Sequence, residues 1–205
     1  MIKNILFDFD GVILDSMPIR EYGFREIFKD FDDNLVEKLL YYHNQNGGLS
    51  RYVKIRYFYE KLLNRDISDN EIKVLAESFS QIMKKELINK KYLIDKTVEF
   101  LETSYKKYNL HIVSGSDEEE LKYLCRYLDV KKYFISINGS PTHKNNLVKN
   151  LLTMYKYNIN ETILIGDSIN DYEAAKVNDI SFYGYNNKKL VDFSTHYIYS
   201  FEILK

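Results

Sequence analysis

A single cysteine, the lack of any apolar run of roughly 18 residues, and a near balance of charge remove several classes of protein at the outset. Cys125 has no partner for an internal disulfide, and one thiol excludes a cysteine-based zinc cluster. It lies in Leu121–Leu128, where apolar residues recur at helical spacing, so it reads as core packing rather than as a reactive thiol. With 29 basic and 30 acidic side chains, the net charge of −1 provides no global field to draw the chain to nucleic acid or to an anionic membrane. There is no membrane-length run and no signal-peptide layout ahead of the first strand, so a cytoplasmic location is expected. Internal repeats and low-complexity linkers are also missing. The histidines, His43, His111, His143 and His196, have no metal-ligand spacing and read as packing or surface residues.

What is present is an ordinary globular composition. At 205 residues, 45% apolar and 29% charged, the chain can bury a sizeable core as one domain or as a core with a modest insertion. Ile2, Ile5, Leu6 and Phe7 supply a strand-like run that gives way to Asp8-Phe9-Asp10-Gly11-Val12. Residues two apart on a strand share a side, so Asp8 and Asp10 begin on one face. Carboxylates that close repel unless one is protonated or a cation lies between them. A lone Asp-x-Asp is more often a solvated turn, so its meaning depends on the rest of the chain.

Residues 17 to about 90 lose strand character. Pro18 suits a first helical turn, and Tyr22, Ile27, Phe28 and Phe31 recur at helical spacing. Leu35, Val36, Leu39 and Leu40 mark a second helix. Ser50 caps a third that carries Val53 to Leu63, and Ser68 or Asp69 caps a fourth that carries Ile72 to Met83. From Ile94 onward helices alternate with strands, at about Leu110–Val113, Phe134–Ile137, Thr162–Ile165, Ile180–Tyr183 and, more weakly, Tyr197–Tyr199. That alternation predicts an α/β fold with a doubly wound, Rossmann-like parallel sheet as its core, and a small inserted α-helical unit. The expected boundaries are 1–15 and 91–205 for the core and 16–90 for the insertion.

In such sheets ligands bind beyond the carboxyl ends of the strands, and polar residues gather at those ends here. They are Asp8 with Asp10, Ser114 with Gly115, Lys144 at a helix start, and Asp167 with Asp171. Carboxylates converging on one point suit Mg²⁺, which is held by few protein ligands together with water and a phosphate oxygen. A lysine and a hydroxyl beside that centre suit phosphoryl transfer, with one carboxylate as nucleophile and a neighbour as acid and base.

The ordered set resembles the haloacid dehalogenase-like superfamily, in the phosphoglycolate phosphatase and β-phosphoglucomutase branch with a helical cap. Asp8–Val12 matches the first motif, Ile112-Val113-Ser114-Gly115 the second, Lys144 after Gly139-Ser140-Pro141 the third, and Ile163–Asp171 the fourth. The resemblance implies that Asp8 attacks phosphorus to form an aspartyl phosphate, while Asp10 protonates the leaving alcohol and then activates water. It implies Mg²⁺ on the Asp8 carboxylate, the Asp10 backbone carbonyl and Asp167, with Ser114, Gly115 and Lys144 on the phosphoryl oxygens. Asp171 would support the metal or Lys144 from behind, or simply cap the next helix. Asp15 would be a turn or hinge residue.

Gly48-Leu49-Ser50-Arg51 resembles the specificity loop of such caps, which makes Arg51 the leading cap contact, against a solvated helix-start arginine; Arg20 and Arg56 follow it. A mutase of this branch carries a basic residue just after the second motif, where this chain has Asp117 followed by Glu118, Glu119 and Glu120. Acids at a helix start also suit its dipole. A phosphatase acting on a small phosphorylated metabolite is therefore expected over a β-phosphoglucomutase-like mutase. A third reading, a retired phosphate-binding module, is opposed by the intact Asp10. Oligomeric state is left open and a monomer is compatible.

Overall fold

The apolar runs of the α/β half become a six-stranded, all-parallel sheet in a computed structural model that describes residues 1–204. Its strands are β1 (Asn4–Phe7), β2 (Asn109–Asp117), β3 (Ser136–Ser140), β4 (Thr162–Gly166), β5 (Ser181–Tyr185) and β6 (His196–Ile198), in the spatial order β3-β2-β1-β4-β5-β6. The chain winds outward through β2 and β3, then returns to place β4 beside β1. Strand order reverses there, which is where a doubly wound sheet opens a crevice. The Asp8 amide continues the ladder by donating to the Ile165 carbonyl at 2.9 Å, so the ends of β1 and β4 lie side by side.

Between β1 and β2 come four helices: α1 (Met17–Ile27), α2 (Asp33–Gln45), α3 (Arg51–Tyr57) and α4 (Asp69–Glu86). Phe24, Phe28, Phe58 and Phe79 are fully buried among them, each contributing about 1.5–3 kcal/mol by leaving water. Ser68 begins α4 with a complete capping box to Glu71, and Ser50 caps α3 by accepting from the Val53 amide. The third helix differs from its predicted form, because it widens into a π-helical turn over Phe58–Leu62. In that turn Phe58 stacks on Phe28 at 4.1 Å and meets Phe31 edge-on at 5.2 Å. The connections into and out of this helical unit run side by side. The Asp15 amide donates to Tyr92 and the Ile94 amide donates to Ile13.

The two faces of the sheet are covered as period-two alternation requires. Ile5, Phe7, Ile112 and Ile165 pack toward α5 (Asp95–Ser104) and α6 (Glu118–Tyr127), whereas Leu6, Val113 and Leu164 pack toward α7 (Lys144–Tyr155) and α8 (Ile169–Lys176). Central strands buried on both faces explain the unbroken apolar runs. Cys125 is buried in the first layer, where loss of solvent pushes its thiol up to about 12. Two strands differ from expectation. After a register shift against β3, β2 continues through Ser114-Gly115-Ser116 to Asp117, and β3 starts at Ser136 because Phe134 ends a short 3-10 turn. No helix among the described residues is long and apolar enough to cross a membrane.

Candidate active site

Four strand ends deliver the polar residues to one place. Asp8 leaves β1 with its carboxylate buried, its Oδ1 3.0 Å from Lys144 Nζ and accepting from the Phe9 amide at 2.7 Å. Lys144 starts α7 and also ion-pairs with Asp171, which is wholly buried on α8. Oxygens of Asp8, Asp167 and Asp171 all lie within 4.8 Å of one another. Burial and then the Asp171 charge push the Asp8 pKa up to about 7, with Lys144 opposing them. Burial and then Asp8 push Asp167 well above the ordinary carboxylate range. Burial would lower the Lys144 pKa, but Asp171 and Asp8 reverse this and hold its ammonium charged. Three carboxylates against one ammonium leave a deficit that a divalent cation would neutralise, so the donor set fits a hard metal ion.

Local geometry fixes these groups. Gly11 has φ +73, and a Cβ there would stand 1.9 Å from Asp167 Oδ2, so only glycine brings this turn so close to Asp167. Two asparagines beyond β5 tie both loops: Asn186 Nδ2 donates to the Gly11 carbonyl at 3.0 Å, and Asn187 Nδ2 to the Asp167 carbonyl at 2.7 Å. Asp171 closes a capping box with Ser168 while it holds Lys144, so both roles expected of it coexist in one side chain.

Asp10 is held differently. Its Oδ1 accepts from Ser16 Oγ and, at 2.9 Å, from Arg20 Nε, while Oδ2 accepts from Ser116 Oγ at 2.5 Å. Burial would raise its pKa, but the Arg20 charge and these hydrogen bonds outweigh it and hold the carboxyl below its ordinary value. Arg20 also donates to Glu120 Oε1 at 2.7 Å, and Glu120 Oε2 lies 2.6 Å from Arg51 Nη2. Arg51 donates through Nη1 to Ser80 Oγ at 2.6 Å and sits over the Phe79 ring. A buried chain Asp10–Arg20–Glu120–Arg51 thus links the sheet end to α1, α3 and α4. Replacing Glu120 by alanine would leave two buried guanidiniums short of charge, and is expected to lower the unfolding free energy by about 3–5 kcal/mol. A urea midpoint unchanged in Glu120→Ala would contradict that chain.

The structure brings Asp8, Asp10, Ser114, Gly115, Lys144, Asp167 and Asp171 together. Ser114 is buried and, with Gly115 and the Gly47-Gly48 loop, lines a cavity of about 10 Å³ over Asp8 and Asp167. Arg51 lines a second cavity of about 20 Å³ with Asp10, Arg20, His43 and Lys54, although its guanidinium is engaged by the protein's own groups. Arg56 lies outside the site, paired with Glu60 and Asp69 on the surface. His143 caps α7 rather than touching the cluster. Neither Glu120 nor Lys54 belongs to a motif. The Glu120 signal was its place on α6, one turn before Leu124 on the buried face, whereas Glu118 and Glu119 pair with Lys122 outside.

Comparison with known proteins identifies the family. The family model described as haloacid dehalogenase-like hydrolase matches residues 5–185. A phosphorylated carbohydrates phosphatase of Thermotoga maritima is 24% identical over 183 residues, spanning 85% of this chain and 80% of that protein. A β-phosphoglucomutase of Clostridium difficile superposes with a TM-score of 0.79 at 16% identity, covering 100% of this chain and 94% of that one. The hydrolase YfnB of Bacillus subtilis, solved with magnesium and described as revealing interdomain movement, superposes with a TM-score of 0.69 at 17% identity, covering 99% and 96%.

Proposed function

Because the chain belongs to the haloacid dehalogenase-like hydrolase family, we propose that it is a Mg²⁺-dependent phosphatase that hydrolyses a small phosphorylated metabolite through an aspartyl phosphate on Asp8. The observation that carries this reading is the Asp8 carboxylate, buried beside Lys144 and Asp167 and facing a cavity it shares with Asp10 and Ser114. The curated relative named for phosphorylated carbohydrates favours a sugar phosphate or a similar monoester as substrate.

In this reading Asp8 supplies the nucleophilic oxygen. Lys144 keeps Asp8 oriented and, with the Ser114 hydroxyl, offers donors to the transferring phosphoryl oxygens. Asp10 gives its proton to the leaving alkoxide, then takes one from the water that opens the acyl phosphate. Asp8, the Asp10 carbonyl and Asp167 would hold Mg²⁺, and Asp171 would position Lys144. When bound, the metal offsets the charge of nucleophile and phosphate so that they can approach.

The helical segment 16–90 acts as a cap over this centre. Cavities of about 10 and 20 Å³ hold on the order of one water each, too little for a phosphate ester, so the cap must swing away to admit substrate. The paired connections at Asp15–Tyr92 and Ile13–Ile94 are the natural hinge. A mutase of this branch carries a basic residue for its second phosphate just after the Ser114-Gly115 motif. Asp117 stands there at the end of β2, accepting from the Tyr52 hydroxyl at 2.8 Å, which favours hydrolysis.

The test is phosphate release from a panel of monoesters. Activity with Mg²⁺ that falls by about 10²-fold or more in excess EDTA, and returns on adding Mg²⁺, is the expected result. Undiminished hydrolysis in EDTA would contradict the metal assignment, and no release from any monoester would contradict the phosphatase.

A further inference from the structure

Lys54 is the one cationic side chain lining the cap cavity that makes no ion pair, although the more distant Asp10 charge offsets part of its burial. It is 2% exposed, and its Nζ meets two neutral acceptors, His43 Nδ1 at 2.8 Å and the Gly47 carbonyl at 3.3 Å. Arg20 and Arg51 differ, since Asp10 and Glu120 stand against them. Among the described residues no carboxylate forms an ion pair with Lys54. Taking an ammonium out of water without a counter-ion is unfavourable, and burial pushes the Lys54 pKa down to about 7.

The neighbouring groups share this lack. His43 is buried and held neutral, and an ammonium donating to its Nδ1 assigns the proton to Nε2. That Nε2, like Arg20 Nη2, is buried without a hydrogen-bond partner. Lys54, His43 and Arg20 all line the cavity of about 20 Å³. His43 Nε2 and Arg20 Nη2 therefore present donors without acceptors, beside an ammonium that makes no ion pair, which is the chemistry of an anion receptor. Asp10, Met17, Gly47 and Gly115 line this cavity and the smaller one over Asp8. The receptor thus lies on the Asp10 side of the centre, where the leaving alcohol must be protonated.

Resting on the phosphatase reading above, we propose that Lys54 is a specificity residue that receives a second anionic group, a carboxylate or a phosphate, carried by the alcohol part of the substrate. His43 and Arg20 donate to the same group. A neutral alcohol of equal size leaves these donors unpaired, and the enzyme discriminates against it mainly through KM.

Two matched pairs of esters test this in the intact protein with Mg²⁺: phosphoglycolate against ethyl phosphate for a carboxylate, and propanediol bisphosphate against propyl phosphate for a second phosphate. The wild type is expected to prefer the anionic member of one pair by roughly tenfold or more in kcat/KM, and the pair that shows it identifies the anion. In Lys54→Gln that preference is expected to collapse to about threefold or less through a higher KM, with Lys54→Arg retaining part of it. A wild-type preference below about threefold in both pairs overturns the inference, as does a preference that Lys54→Gln leaves intact. Should both variants fail to fold, the wild-type ratios alone decide. Phosphate release without preference overturns this inference alone, whereas no release from all four esters overturns the phosphatase reading and this inference with it.

Discussion

Asp8→Asn is expected to lower kcat by at least roughly three orders of magnitude while the protein stays folded. The amide keeps an oxygen for Lys144 Nζ and for the Phe9 amide, which are the contacts the carboxylate makes here. It removes the anionic oxygen that attacks phosphorus and one anionic ligand of the metal. It also removes a charge from a crowded buried cluster. Asp171 and Asp10 raise the Asp8 pKa and Asp8 raises that of Asp167, so the variant relieves repulsion and should not unfold. Phosphate release from Asp8→Asn is the measurement, with circular dichroism as the check on folding. Full turnover by the folded variant would end the nucleophile assignment.

Asp10→Asn is expected to lose about 10² to 10⁴-fold in steady-state rate, with a signature that depends on the leaving group. Asp10 accepts from Ser16, Arg20 and Ser116, and an amide oxygen can still serve the first two. What it cannot do is exchange a proton. An alkyl phosphate needs that proton to leave, so its first step slows. Nitrophenolate departs from nitrophenyl phosphate without it, so Asp8 is still phosphorylated, and only the water-activating step slows. The variant should therefore release nitrophenol in a burst of about one per site, followed by slow turnover. Arg20 chiefly holds the Asp10 pKa down against its own burial, which favours the ionised form that activates water over the protonated form that the first step uses. Equal loss on both substrates with no burst would show that Asp10 does not separate the two half-reactions.

The residues that could be read in advance are those that sit at strand ends. Asp8, Ser114 and Asp167 follow apolar runs and Lys144 starts the helix after β3, and parallel winding brings the carboxyl ends of all these strands to one edge. The sheet and the four-helix insertion were legible for the same reason, because short apolar runs and helical spacing are local properties. The boundaries were not. Extension of β2 to Asp117 depends on pairing with Ser140, and the π turn at Phe58 depends on rings from α1 and its C-terminal turn.

The charged chain through Arg20, Glu120 and Arg51 was also out of reach. Those residues are 100 and 69 positions apart along the sequence, and they meet only when the inserted helices lie against α6. Acids at the start of α6 explain themselves through the helix dipole, which is true of Glu118 and Glu119 and conceals the buried role of Glu120. Lys54 and His43 come together from two helices for the same non-local reason.

Beryllofluoride mimics a phosphoryl group on an aspartate, so thermal unfolding of the wild type and Asp8→Asn, with Mg²⁺ and beryllofluoride separately and together, bears most directly on an aspartyl phosphate at Asp8. At about one hundred times the dissociation constant, ligand linkage is expected to raise the wild-type Tm by about 5–10 °C with both additions, by much less with either alone, and not at all in Asp8→Asn. A wild type that hydrolyses monoesters yet shows no joint shift, or an equal shift in Asp8→Asn, would contradict it.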